Sequence, residues 1–207
     1  MRYIEKHSTE PEGFSRWKKN NAKANWNDFS TSAEHRELRE QLLAEQIGMC
    51  CYCEVMLTVD DAHIEHLKPK SKYQQERFAY DNLLASCNRK ESCGHKKGTW
   101  YRPDMVSPLA KGCEQRFTYT LDGRIIPSDK EDKLASETIE QLGLNCAKLK
   151  DRRKSIIKAL DNGGNGPAAA YLQTVAADIL NRKNDWPFGF PTVLFFIAAT
   201  YAIPLQQ

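Results

Sequence analysis

The stretch AHIEHLKPKS, residues 62–71, places a carboxylate directly before an imidazole. The imidazole of His66 can accept a proton near neutral pH, whereas the carboxylate of Glu65 suits a hard divalent cation. Neighbouring side chains on a strand point to opposite faces, but at the end of a strand both can reach one pocket. His63 lies an odd number of residues before His66, so we expect it to face away and to be structural, with an extra metal ligand as the alternative.

Two cysteine pairs flank this stretch. Cys50 and Cys53 have CxxC spacing, and Cys87 and Cys93 follow later in the chain. The total of seven cysteines is odd, which argues against a complete disulfide framework, and two pairs are typical of a structural, tetrahedral zinc site. Cys51 lies inside the first pair, so the sequence leaves open whether it replaces Cys50 or Cys53 as a ligand. Redox-active or simply buried thiols are the weaker alternative.

The composition is that of a folded, non-membrane protein. The chain has 207 residues, a formal net charge of +3, 41% hydrophobic and 28% charged residues. These values argue against disorder, and the mildly basic charge permits a polyanionic partner without requiring one. The N-terminal residues lack the apolar core of a signal peptide, and the apolar run 192–203 is too short to cross a bilayer. We therefore expect a cytoplasmic protein.

The N-terminal segment, 1–48, is predicted to be helical. Thr31 followed by Glu34 matches a capping box and predicts a helix start. Leucines at helical spacing follow, and Gly48 ends the pattern just before the first cysteine pair.

The rest of the chain divides into two further segments. The segment 49–100 combines the cysteines with short strand-like pieces, so a bound metal is expected to stabilise it. The segment 101–207 is predicted to be a mostly helical lobe with a short β-hairpin turning at Asp122 and Gly123. Helical patterns in this lobe cover residues 129–142, 145–160, 167–180 and 192–203.

Four stretches of the chain together resemble the HNH endonuclease family of the ββα-metal class. They are CCYCE, IEHLKPKS, YDNLLASC and CGHKKG, and they cover roughly residues 50–98, with a longer loop inside the second cysteine pair than the family pattern has. The opening MRYIEK and the helical tail extend the resemblance to the PtuB-like nucleases of Septu and retron-associated anti-phage systems. The resemblance implies an α+β fold in which a zinc-stabilised ββα-metal HNH module is embedded between N-terminal and C-terminal helical segments.

The resemblance also implies roles for individual residues. His66 would be the general base that activates a water, and Glu65 would hold a catalytic Mg²⁺ or Mn²⁺ ion. Asn82 would hold the catalytic loop and orient His66 through hydrogen bonds. His95 is favoured as the second protein ligand of the catalytic ion, with Asn88 as the alternative.

Two basic tracts flank this predicted metal site and are expected to contact a phosphate backbone. The first follows the predicted base and the second follows the predicted ligand. Their members are Lys68, Lys70, Lys72, Lys96 and Lys97.

The sequence therefore predicts a metal-dependent endonuclease that hydrolyses phosphodiester bonds of nucleic acid, with DNA favoured. By resemblance it is the effector of an anti-phage defence system, with an ABC/SMC-type ATPase like PtuA as partner. A retron reverse transcriptase and its DNA are further candidate partners. The alternative is a non-catalytic zinc-knuckle module that binds nucleic acid or protein; such a module needs the cysteines but not the neighbouring Glu65 and His66.

Overall fold

The computed structural model describes residues 1–162, 165–167, 169–180 and 189–204, and the remaining residues all belong to the predicted segment 101–207. The fold is α+β, as predicted. Its helices and strands in chain order are α1 (Glu12–Asn20), α2 (Trp26–Ser30), α3 (Ala33–Glu45), β1 (Ala62–His66), β2 (Leu83–Cys87), α4 (Cys93–Lys97), β3 (Phe117–Tyr119), β4 (Ile125–Pro127), α5 (Lys133–Gln141), α6 (Ala147–Asp161), α7 (Ala169–Leu180) and α8 (Pro191–Thr200).

The first three helices form an N-terminal layer with an aromatic inner side. Four aromatic side chains are buried together in it: Phe14 and Trp17 of α1, and Trp26 and Phe29 of α2. The ring centroids of Trp17 and Phe29 are 4.8 Å apart. Leucines of α3 complete the layer. It packs on one face of the β1–β2 sheet, against Ala62, Ile64, Leu83 and Ala85.

The capping box of this layer lies at the start of α2. The Asn25 side chain accepts the N–H of Asn27 at 2.7 Å, and the Asp28 carboxylate accepts the N–H of Asn25 at 2.8 Å. Thr31 instead ends α2, and its hydroxyl donates to the carbonyl of Asp28. Helix α3 starts after Ser32 without a side-chain cap. The helix is confirmed, but the capping box predicted at Thr31 is wrong.

Strands β1 and β2 are antiparallel and form a sheet that is buried on both faces. Glu65 lies opposite Leu84, and His66 lies opposite Leu83, at the end of the ladder. Because side chains alternate along a strand, Ile64 faces the N-terminal layer while Glu65 faces a second core.

The second core joins the cysteines to the C-terminal lobe, where the predicted hairpin is confirmed as β3 and β4. The turn residue Gly123 has φ +84 and packs so tightly on α6 that a Cβ there would collide with the carbonyl of Lys150. Buried Arg153 of α6 donates to the carbonyls of Gly123 and Leu144, each at 2.7 Å. Arg153 therefore anchors the hairpin to α6.

The apolar C-terminal run forms α8, whose buried residues include Val193, Leu194 and Ile197. Within the residues that the structure describes, no helix has both the length and the apolar character needed to cross a bilayer.

Candidate active site and metal centres

Four cysteine side chains meet in the second core. The sulfurs of Cys50, Cys53, Cys87 and Cys93 all lie within 4.8 Å of one another, and all four residues are buried. Four thiolates at about 2.3 Å from a tetrahedral zinc ion lie about 3.8 Å apart, so this cluster fits zinc. Burial raises the pKa of the Cys53 and Cys93 thiols, so zinc binding would have to displace their protons.

The loop between Cys87 and Cys93, the second cysteine pair, ends in an uncommon backbone conformation. Cys93 has φ +58, in the left-handed region that non-glycine residues rarely adopt. Its N–H donates to the carbonyl of Leu142 at 2.7 Å, which ties the loop to the end of α5. Cys51 is buried but lies outside the four-sulfur cluster, and its N–H donates to the carbonyl of Ala85.

Three chemistry-bearing side chains gather on the face of the sheet that meets α4. Nε2 of His63 lies 3.4 Å from Oε2 of Glu65, and the ring centroids of His63 and His95 are 4.5 Å apart. His63 and Glu65 share a face because they are two residues apart on β1. Helix α4 places His95 beside them.

The carboxylate of Glu65 is ionised and held through one of its oxygens. Nζ of Lys97 lies 2.8 Å from Oε1, and the hydroxyl of Tyr52 donates to the same oxygen at 3.3 Å. Burial alone would raise the pKa of Glu65, but the hydrogen bond with His63 and the charge of Lys97 outweigh it, and the pKa is lowered. Oε2 is the oxygen that faces His63, and it can contact a cation.

His66 lies on the opposite face, inside the N-terminal layer. Its ring centroid is 4.2 Å from that of Trp26, and its Nε2 lies 3.0 Å from the carbonyl oxygen of Arg77. A carbonyl only accepts hydrogen bonds, so Nε2 carries the proton and Nδ1 keeps the basic lone pair. Burial lowers the pKa of His66 to about 4, which leaves the imidazole neutral at physiological pH.

The side chains of Glu65 and His66 therefore do not share a pocket in this structure. The sequence suggested that both could reach one pocket at the end of the strand. Regular alternation instead continues to His66, the last residue of β1, because Trp26 packs against its ring.

Asn82 holds the loop that follows His66. Its Oδ1 accepts the N–H of Lys68 at 2.7 Å, and its Nδ2 donates to the carbonyls of Lys68 and Glu76 at 3.0 and 3.1 Å. These partners are all backbone groups of the loop, and the imidazole of His66 is not among them. Asn82 can therefore influence His66 only through the loop.

His95 and Asn88, the two candidates for the second protein ligand of the catalytic ion, lie side by side. Nε2 of His95 is 3.3 Å from Oδ1 of Asn88, and both residues are exposed. Desolvation lowers the pKa of His95, and the neighbouring His63 acts in the same direction. A neutral imidazole is the form that binds a metal ion.

The predicted phosphate-contacting lysines divide by exposure. Lys70, Lys72 and Lys96 are exposed, and Lys70 also lies over the ring of Trp26 at 5.4 Å. Lys68 is half-buried, and its ammonium pairs with Glu76 at 2.5 Å.

Lys97 differs from the prediction. It is 3% exposed, and its ammonium contacts Glu65 and donates to the carbonyl of His66 at 3.0 Å. A buried ammonium with these partners does not face solvent, so the predicted phosphate contact at Lys97 is corrected to an internal ion pair.

Sequence reasoning missed two groups at this site and gives His63 only as an alternative ligand. The even spacing of His63 and Glu65 is the signal that places both side chains on one face of β1. Tyr52, inside CCYC, and the carbonyl of Arg77 gave no signal, because their roles depend on contacts between distant segments.

Comparison with known proteins gives two relationships. The chain is similar to a protein of Vibrio cholerae serotype O1 biovar El Tor named as the HNH endonuclease of retron Vc95, with 35% identity over 134 residues. This match covers 59% of the chain and 64% of the relative. The chain is also similar to the HNH endonuclease named for retron Ec83 of Escherichia coli, with 23% identity over 194 residues, 70% of the chain and 75% of the relative. No family model matches the chain.

The fold and site define an α+β protein in which a four-cysteine cluster supports a strand ending in a carboxylate and an imidazole. The two relatives support the HNH endonuclease family for this chain, which confirms the family resemblance of its motifs.

Proposed function

We propose that the chain is a metal-dependent endonuclease that hydrolyses phosphodiester bonds of nucleic acid, with DNA as the favoured target. The observation that carries this proposal is the environment of His66. Its Nε2 is held by the carbonyl of Arg77, its Nδ1 is left basic, and Glu65 precedes it at the end of β1. A module that only bound zinc would have no use for this arrangement.

His66 is the general base in this proposal. Because Glu65 and His66 lie on opposite faces of β1, the scissile phosphate would have to lie across the end of the strand. There Nδ1 would take the proton from a water that attacks the phosphorus, while the hydrogen bond from Nε2 to the carbonyl of Arg77 keeps the ring in place. Because the pKa of His66 is about 4, the ring is neutral throughout the physiological range but is only a weak base before substrate binds. The negative charge of a bound phosphate would favour the protonated imidazole once it forms.

Glu65 and His95, with Asn88 as the alternative to His95, would hold the catalytic ion. A Mg²⁺ or Mn²⁺ ion bound there would stabilise charge on the phosphate and on the departing 3′-oxygen. Lys97 and Tyr52 hold Oε1 of Glu65, so that Oε2 stays directed toward the ion site.

Three exposed lysines would bind the phosphate backbone next to this site. They lie in the loop after His66 and on α4, and they are Lys70, Lys72 and Lys96. Contacts of this kind position nucleic acid without reading its sequence.

The relatives also support a cellular role. Both are named as HNH endonucleases of retrons, so we propose that this chain is the effector nuclease of a retron-associated anti-phage system. Its partners would be nucleic acid, a PtuA-like ABC/SMC-type ATPase, and a retron reverse transcriptase with its DNA. It would act in the cytoplasm.

Cleavage of supercoiled plasmid by the zinc-loaded chain tests the proposal. Wild type with Mg²⁺ or Mn²⁺ should convert the plasmid to nicked and linear forms, and EDTA should stop this. His66→Ala should remove cleavage, whereas His7→Ala, which removes an exposed histidine far along the chain, should not. The assay is run with and without a PtuA-like ATPase, the proposed partner. Plasmid binding without cleavage under both conditions would contradict the proposed nuclease and favour the alternative, a non-catalytic zinc-knuckle binding module.

A further inference from the structure

His63 is left without a role by the proposed function, although it lies against both proposed ligands. We propose that His63 is a third protein ligand of the catalytic ion, and that its imidazole, with that of His95, makes the site prefer Mn²⁺ to Mg²⁺. This inference rests on the proposed function, because it extends the ion site formed by Glu65 and His95.

The first observation is a distance. Nε2 of His63 and Oε2 of Glu65 are 3.4 Å apart, which is long for a charge-assisted hydrogen bond. Two ligands that each lie about 2.1 Å from one ion are about 3.0 Å apart at the right angle of an octahedral site and about 3.4 Å apart at a tetrahedral angle. The two atoms therefore have the separation expected for neighbouring ligands of a shared ion.

The second observation is the space beside these atoms. Gly94 of α4 lies directly against them, and a Cβ at this position would collide with Oε2 of Glu65 and lie 2.6 Å from Nε2 of His63. The φ of Gly94 does not require glycine. The close approach of α4 requires glycine here, because any side chain would fill the space between α4 and the two atoms Oε2 of Glu65 and Nε2 of His63.

The third observation is an unpartnered nitrogen. Nδ1 of His63 is buried and has no hydrogen-bond partner among the residues that the structure describes. Ion binding through Nε2 would not satisfy this Nδ1, but a purely structural buried histidine is expected to use both of its ring nitrogens in hydrogen bonds. Ligation gives the ring a function that a purely structural histidine would lack.

The ligand set then determines the preferred ion. Mg²⁺ favours carboxylate and water oxygens in near-ideal octahedral geometry, whereas two imidazoles and one carboxylate are typical ligands of transition-metal ions. His95 is exposed, so its ring can turn toward His63 and Glu65 without disturbing the core. Mn²⁺ is the transition-metal ion among the two candidates for catalysis.

The test measures Mn²⁺ binding directly, separately from cleavage. Zinc-loaded protein is titrated with Mn²⁺ while the electron paramagnetic resonance signal of free Mn²⁺ is followed, and Mg²⁺ is then added as a competitor. We expect wild type and His7→Ala to bind one Mn²⁺ with equal affinity. His63→Ala should weaken binding by at least about tenfold, the scale on which metal sites respond to lost support. Mg²⁺ should displace Mn²⁺ only in large excess.

Gly94→Ala gives a second, independent variant in case His63→Ala fails to fold. It keeps all three ligands but fills the space between them, so it should also weaken Mn²⁺ binding. Thr99→Ala, an exposed and uncharged change just after the same helix, is its control for this measurement.

Two contrary results overturn the inference in different ways. If Glu65→Gln loses Mn²⁺ while His63→Ala and Gly94→Ala bind it like wild type, His63 is not a ligand, and the proposed nuclease is unaffected. If wild type binds no Mn²⁺ and its cleavage of plasmid is insensitive to EDTA, both the inference and the proposed function are wrong.

Discussion

Lys97 and Glu65 form a buried ion pair, with Nζ 2.8 Å from Oε1 and side chains that are 1% and 8% exposed. Lys97→Met should leave the Glu65 carboxylate buried without its main counter-charge. We expect the free energy of unfolding to fall by about 3 kcal/mol, measured by urea denaturation of zinc-loaded protein. Lys96→Met, an exposed neighbour on α4, should change it by less than about 0.5 kcal/mol. Similar small changes in both variants would show that the pair contributes little.

Removal of one cysteine ligand should remove zinc and the fold together. Cys87→Ser takes a thiolate from the four-sulfur cluster, and structural zinc binding contributes directly to folding. Metal analysis should therefore show less than one zinc per chain, and circular dichroism should show a lower melting temperature. Cys51→Ser is the matched control, because Cys51 is also buried but lies outside the cluster. Loss of zinc from the control alone would mean that Cys51 is the true ligand.

His66 should make stability depend on pH. Its pKa in the folded protein is about 4, below the ordinary value of 6.5, because of burial. Between these two pH values the unfolded chain takes up a proton at this position and the folded protein does not, so stability falls as the pH falls. The contribution is about 3 kcal/mol at most.

Urea denaturation at pH 6.5 and pH 4.5 measures this dependence. His66→Gln should lose less stability over the interval than wild type, whereas His7→Gln, at an exposed position, should behave like wild type. Parallel curves for wild type and His66→Gln would mean that the folded protein protonates His66 normally.

Arg152 and Arg153 should differ sharply although they are neighbours on α6. Arg153→Ala removes the buried guanidinium that binds the carbonyls of Gly123 and Leu144, and should lower the free energy of unfolding by about 3 kcal/mol. Arg152→Ala changes an exposed residue and should have little effect. Thermal melting followed by circular dichroism distinguishes them. An equal effect would contradict the anchoring of the hairpin by Arg153.

The elements that the sequence predicted are those that depend on local pattern. The hairpin at Asp122 and Gly123 follows from turn chemistry, and the helix at 33–45 follows from leucine spacing. The helix start was misplaced because Thr31 and Asn25 both head a similar short motif. In the fold Thr31 already ends α2, which packs through Trp26 and Phe29, and Ser32 takes the N-cap position of α3.

The site was less predictable for the same reason. Cys50, Cys53, Cys87 and Cys93 could be grouped from spacing alone, because pairs of thiols have few other uses in such a chain. Lysine at 97 looked like a surface residue, and its burial follows from Glu65, which is distant in sequence. The bond between His66 and Arg77 uses a backbone carbonyl, which every residue carries and no sequence pattern reveals.

The strand β1 separates the environments of its last two residues. The aromatic layer around Trp26 buries His66 and lowers its pKa, while α4 holds Glu65, the proposed ion ligand, through Lys97. In the proposed mechanism, substitutions around Trp26 should therefore act mainly on proton transfer, whereas substitutions in α4 should act mainly on the ion, with Lys97 as the link between the two. For the proposed nuclease, selection or an engineer could therefore adjust the pH range and the metal requirement largely as two separate traits.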